Sequence, residues 1–104
     1  MAKDDVVNDL LANIASGGTA TFQPSGGVEC VITGLGGDAS GSGPDRYVDI
    51  TAGIYDGTDR ADPIHKISKR SPIFKIGITN ANYLIITNDD GLTQDLAYCG
   101  YQTK

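Results

Sequence analysis

The sequence predicts an all-β fold, an antiparallel β-sandwich of jelly-roll-like form with about seven strands and a short N-terminal amphipathic helix. Three observations carry that expectation. Between Thr19 and Gln102 apolar side chains recur with a period of two in seven separate runs, the alternation of strands that bury one face. The breaks between runs are rich in Gly, Pro, Asn and Asp, which supply positive φ, a fixed φ, or a side chain that bonds its own backbone; the chain holds 14 glycines. No helical pattern separates the runs. The crossovers of a parallel α/β sheet are therefore missing, and antiparallel pairing follows.

Only the first residues carry helical spacing. Val6, Val7, Leu10, Leu11 and Ile14 fall at i, i+1, i+4, i+5 and i+8, an apolar stripe on one side of a helix. Asp4 and Asp5 suit its positive end, and Gly17-Gly18 its stop. About three turns are marginal in isolation, so the stripe needs a surface on its own sheet, a symmetry mate or another protein. Residues 1–17 are expected to form an arm and residues 18–104 the β-domain. The five stripe residues are the candidate assembly interface.

The runs follow in order. Thr19 to Gln23 places Ala20 and Phe22 on one face, and Pro24-Ser25-Gly26-Gly27 is a turn. Val28 to Thr33 places Val28, Cys30 and Ile32 together, and the two runs are expected to pair as a hairpin. Gly34 to Asp45 reads as a flexible loop. Arg46 to Tyr55 puts Val48, Ile50, Ala52 and Ile54 on one face; Asp56-Gly57 then signals a hairpin within a wider connection. Ile64 to Ser68 is a short strand. The clearest stretch runs from Ser71 to Lys104, three strands joined by two polar turns. Phe74, Ile76 and Ile78 alternate in the first, and Tyr83 to Thr87 is β-branched and aromatic. In the last, Leu96 and Tyr98 share one face while Ala97, Cys99 and Tyr101 share the other. That strand is expected to tie the C-terminal residues into the sheet.

Composition removes several functions. Eight basic residues against thirteen acidic give a net charge of −5 with no basic cluster, which disfavours nucleic acid as a partner. No run approaches the eighteen apolar residues of a membrane span, and no secretory pattern opens the chain, so synthesis in a cytosol is expected. Cys30 and Cys99 make neither a disulfide framework nor a metal site, and are expected to be buried free thiols in apolar strands. The glycine-rich loop ends in Pro44-Asp45 and leads into a strand, whereas a phosphate loop ends in Gly-Lys-Ser/Thr and opens a helix.

Catalytic and ligand-binding patterns are equally thin. Asp38, Asp45, Asp49, Asp56, Asp59 and Asp62 raise calcium, but lack the spacing of an EF-hand and read as turn residues. His65 is the only histidine, and no Gly-x-Ser-x-Gly elbow accompanies it, so no enzyme and no cofactor are expected. Tyr47, Tyr55, Tyr83, Tyr98 and Tyr101 offer a sugar platform, but all lie in expected strands, where packing is the simpler role.

Two sets of segments resemble small tailed-bacteriophage virion proteins. One is Thr19-Ala20-Thr21-Phe22-Gln23-Pro24-Ser25-Gly26-Gly27 through Thr33, followed by Ile54-Tyr55-Asp56-Gly57-Thr58. The other is Ile78-Thr79-Asn80-Ala81-Asn82-Tyr83-Leu84-Ile85-Ile86-Thr87-Asn88, closing with Ala97-Tyr98-Cys99-Gly100-Tyr101-Gln102. The similarity covers residues 19–104, and Cys99 stands where the pattern carries a small polar residue. The resemblance implies a β-sandwich on the virion, made in the host cytoplasm and often trimeric. Its expected role is a capsid decoration or cement protein whose partner is the major capsid protein or another virion protein. A fibre or spike receptor-binding domain is the viral alternative, and a small carbohydrate-binding module the alternative from another class.

Overall fold

Seven of the expected strands form, and an eighth joins them at the N-terminus. The computed structural model describes residues 5–37, 49–67, 75–89 and 91–104, with the side chains of 62–67 excepted. Its strands are β1 (Val6–Ile14), β2 (Thr19–Phe22), β3 (Glu29–Gly37), β4 (Ile50–Tyr55), β5 (Arg60–Ile67), β6 (Ile76–Thr79), β7 (Tyr83–Asn88) and β8 (Gln94–Gln102). They build two four-stranded antiparallel sheets, ordered β1-β8-β3-β6 and β2-β7-β4-β5. The pairing is nested: β1 with β8, β2 with β7, β3 with β6, β4 with β5. Among the described residues there is no helix, and so none that would cross a membrane.

The expected N-terminal helix is instead β1, an edge strand in register with β8 from Val6↔Tyr101 to Leu10↔Ala97. The spacing reads both ways, because residues four apart share a face in a strand as well as in a helix. Val6, Val7, Asn8 and Asp9 are poor helix formers, and a three-turn helix has little stability of its own. Pairing with β8 satisfies a backbone edge that would otherwise be open, and it buries Val7. A bulge between Leu11 and Ile14 then lets both turn inward. Asn13 takes the strain of that bulge at φ 60°, its N–H donating to Asp95 Oδ1 at 2.9 Å. Residues 6–14 thus belong to the sandwich rather than to a separate arm. Gly17-Gly18 is the corner between sheets: Gly17 N–H donates to Asn88 O at 2.8 Å, and Asn88 N–H to Gly18 O at 2.9 Å.

The expected hairpin of Thr19–Gln23 with Val28–Thr33 does not form, since β2 and β3 lie in different sheets. The turn between them carries the chain across the sandwich. Val28 N–H donates to Ser25 O at 3.0 Å, with Gly27 at the positive φ of 80° that such a turn needs. Pro24 is buried, and its carbonyl accepts from Asn80 Nδ2 at 2.9 Å. The Asn80-Ala81-Asn82 turn also changes sheet, from β6 to β7. By contrast Asp56-Gly57 does close a hairpin, β4 to β5 from the pair Tyr55↔Arg60.

The glycine-rich segment is strand through Gly37, which pairs with Leu96, while 38–45 lie outside the described residues. Arg46–Val48, Ser68 and Phe74, each expected in a strand, lie outside them too. A bulge at Thr33 reverses the alternation of β3, so Cys30, Ile32 and Leu35 all face inward. With Ile50, Ile78, Leu84, Ile86 and Leu96 they form the core between the sheets. Asn88 is fully buried there, and its Nδ2 donates to Ile14 O and Leu92 O, both at 2.9 Å. One side chain therefore holds the β1–β2 corner to the β7–β8 turn. The C-terminal residues are tied in, with Thr103 N–H donating to Glu29 O and Glu29 N–H to Lys104 O, both at 2.8 Å.

Candidate assembly face

Strand alternation that fills the core also determines what the sheets show outside. In sheet β1-β8-β3-β6 the outward positions align in three rows. Val6, Tyr101, Val31 and Gly77 form one row, Asn8, Cys99 and Gly34 the next, Leu10, Ala97 and Gly36 the third. None of these residues is charged. Val6 is 72% exposed and Leu10 67%, while Val31, Tyr101 and Ala97 are half-buried by their neighbours. Among the described residues, Glu29 lies beyond the rows at one end and Asp95 at the other, and the exposed Lys75 immediately precedes β6.

The face has relief. Glycines at 34 and 36 leave a depression of about 270 Å³ over β3 and β8, bounded by Ala97 and Cys99. A Cβ on Gly34 would lie 2.6 Å from Cys99 Sγ, so the thiol leans over the place where a side chain would stand. A Cβ on Gly36 would meet nothing within 4 Å. On the other side of β8, Leu10 and Val6 project from β1. An apolar rise and a glycine trough thus flank one strand, an arrangement suited to protein contact.

The five residues expected to form one assembly stripe divide between the two sides of β1. Val7 is buried at 6% exposure, and Leu11 and Ile14 pack on the core; only Val6 and Leu10 face outward. Sequence reasoning missed Val31, Ala97, Cys99 and Tyr101 as their companions. The signal was present in β8, where Ala97, Cys99 and Tyr101 alternate with Leu96 and Tyr98, leaving Asp95 as the strand's one charge.

Other sequence candidates resolve as structure. Cys30 faces the core, where burial pushes its thiol pKa up, but Cys99, expected to be buried too, is exposed because alternation along β8 turns it to the opposite side of the sheet; both are free. Asp56 Oδ1 accepts from Asp59 N–H at 2.7 Å and Thr58 N–H at 2.8 Å, bonds that hold its carboxyl below the usual range. Thr51 Oγ1 donates to the Asp89 carboxylate. Among the described residues no three His, Cys, Asp or Glu gather as a metal would require. Asp38 and Asp45 lie outside the described residues, as do the side chains of Asp62 and His65.

The tyrosines do not make one platform. Tyr98 stacks on Phe22 at 4.7 Å between the sheets, and burial, with Asp9 nearby, pushes its hydroxyl pKa up to about 12. Tyr55 and Tyr83 meet edge to face at 73°, with Tyr55 OH donating to Gly57 O at 3.0 Å. Tyr101 sits on the uncharged face and Tyr47 lies outside the described residues. Comparison with protein-family models, with curated proteins and with solved structures finds no match to this chain.

Proposed function

We propose that this protein is a non-enzymatic assembly module, a virion structural protein that decorates an assembled capsid. The observation that carries the reading is the uncharged outward face of β1-β8-β3-β6. The sandwich closes its core without that face, so folding gives no reason for Val6 and Leu10 to stand in water. Nested pairing of β1 with β8 through β4 with β5 is the winding of a jelly roll, an architecture used by viral capsid domains and also by lectins. A shared fold does not assign function, and it adds weight only beside the face itself. The resemblance of residues 19–104 to small tailed-phage virion proteins points the same way. Carbohydrate binding gains no flat aromatic surface from the crossed Tyr55 and Tyr83 rings.

Particles assembled without this protein provide the test. Mixed with the purified chain and sedimented, they are expected to retain it saturably, at a fixed number of copies per particle. Retention on host cells instead of particles would favour a receptor-binding role, and binding to neither would refute the virion reading.

A further inference from the structure

We propose that the outer face of β1-β8-β3-β6 is a two-fold surface on which a second copy of this chain docks face to face. The inference rests on the assembly reading of that face and names its partner. Its geometry is self-complementary about β8. Consider a two-fold axis lying in the interface and running along that strand. It carries β1 of each copy over β3 of the other without shifting rows. Leu10 then enters the trough at Gly36, Asn8 lies over Gly34 and Val6 meets Val31. Rise meets depression twice, as an isologous contact requires. Aligned sheets stacking face to face are a standard packing, and their twist accommodates the crossing.

Size determines the strength of the pair. The overlapping strands β1, β8 and β3 have nine residues each. At ~3.3 Å per residue and ~4.8 Å per strand they cover roughly 430 Å² in projection. A stable standard interface buries about 800 Å² per partner, so this pair should form and dissociate with concentration. One end opposes it, because the axis brings the two Asp95 carboxylates together. Salt screens exposed like charges and should therefore tighten the pair. The resemblance implies trimers instead. A three-fold contact joins unlike patches and would not set Cys99 opposite Cys99.

Sedimentation velocity over a concentration series, with a short bis-maleimide as probe, tests the inference. The mass should rise from 10.9 kDa towards twice that value, and more readily at higher salt. The cross-link should join Cys99 to Cys99, since Cys30 is only 1% exposed. Leu10→Asp and Gly36→Lys should each weaken the pair at least tenfold. Gly36 has open space around it, so its variant keeps the fold even if the first does not, and an unchanged melting temperature would show this. A monomer at every concentration, a trimeric mass, or a dimer indifferent to both substitutions would overturn the proposal. A monomer that still binds particles would overturn the pair and leave the decoration reading standing; a dimer that never binds them would do the reverse.

Discussion

Replacing Gly100 by alanine should be severely damaging, because the added methyl meets the backbone of the neighbouring strand. Gly100 lies in β8 opposite Ile32, where the bulge presses the backbone of β3 inward. A Cβ there would stand 2.0 Å from Val31 O and 2.9 Å from Ile32 Cα. Ordinary C···O contacts are no closer than about 3.3 Å, so β3 would have to retreat by roughly 1.3 Å. Side chains absorb overpacking at about 1–3 kcal/mol, but here the obstacle is backbone already held by its ladder. The loss should reach about 3 kcal/mol or more once a weakened ladder bond at ~1 kcal/mol is included. At ~4–8 °C per kcal/mol for a domain of this size, melting should fall by about 12–24 °C. Gly36→Ala is the control: nothing lies within 4 Å of the added atom, and its effect should stay within about 0.5 kcal/mol. Thermal melting by circular dichroism on both variants gives the comparison. If Gly100→Ala melts within about 3 °C of the parent, the bulge at Thr33 does not press on β8 and the register drawn here fails.

Four further outcomes are expected. Leu10→Asp should leave the melting temperature nearly unchanged, whereas Leu11→Asp should lower it strongly, since Leu10 is 67% exposed and Leu11 packs on the core; equal losses would restore the helix. Ile86→Ala, at 1% exposure, should cost on the order of 2–5 kcal/mol in urea denaturation, and a negligible change would place Ile86 outside the core. Asp56 has its pKa lowered by the Asp59 and Thr58 N–H bonds, so its charge stabilises the fold above the ordinary carboxylate range. That contribution disappears as pH falls through the lowered value, and the melting gap between parent and Asp56→Asn should close with it; a gap independent of pH would remove the charge as its source. A thiol reagent should modify Cys99 in the native protein and reach Cys30 only on unfolding, and the reverse order would invert the faces of the sheet.

Alternation made most strands legible, because burying one face of a pleated sheet leaves a period of two wherever the backbone is regular. Ile76 with Ile78, and Leu96 with Tyr98, could be grouped on one face without coordinates, and both pairs are buried. Neighbours could not, since the same alternation serves whichever strand lies alongside. The Pro24–Gly27 turn is short enough for a hairpin, yet it crosses between sheets. Nothing in its residues distinguishes the two uses. Bulges were equally silent: the extra residue at Thr33 brings Leu35 into the core from a segment that reads as loop. Of the assembly face, Val6 and Leu10 were legible as apolar and in need of cover, while their companions depended on knowing that β8 is flanked by β1 and β3.

The N-terminal strand shows where local spacing yields to the sheet. Val6 with Leu10 and Val7 with Leu11 are each four residues apart, and a helix would place both pairs on one side. A strand places them on opposite sides, and that division decides what the residues do. Val7 and Leu11 face the core of the sandwich, whereas Val6 and Leu10 extend a face that Tyr101, Cys99, Ala97 and Val31 already make uncharged. The outward side of β8 carries Ala97, Cys99 and Tyr101, uncharged along the strand beyond Asp95. Sheet β2-β7-β4-β5 covers one side of β8, and no other described element covers the second. In the pair proposed above, a copy of the same surface would cover that second side, with Leu10 set against the trough at Gly36.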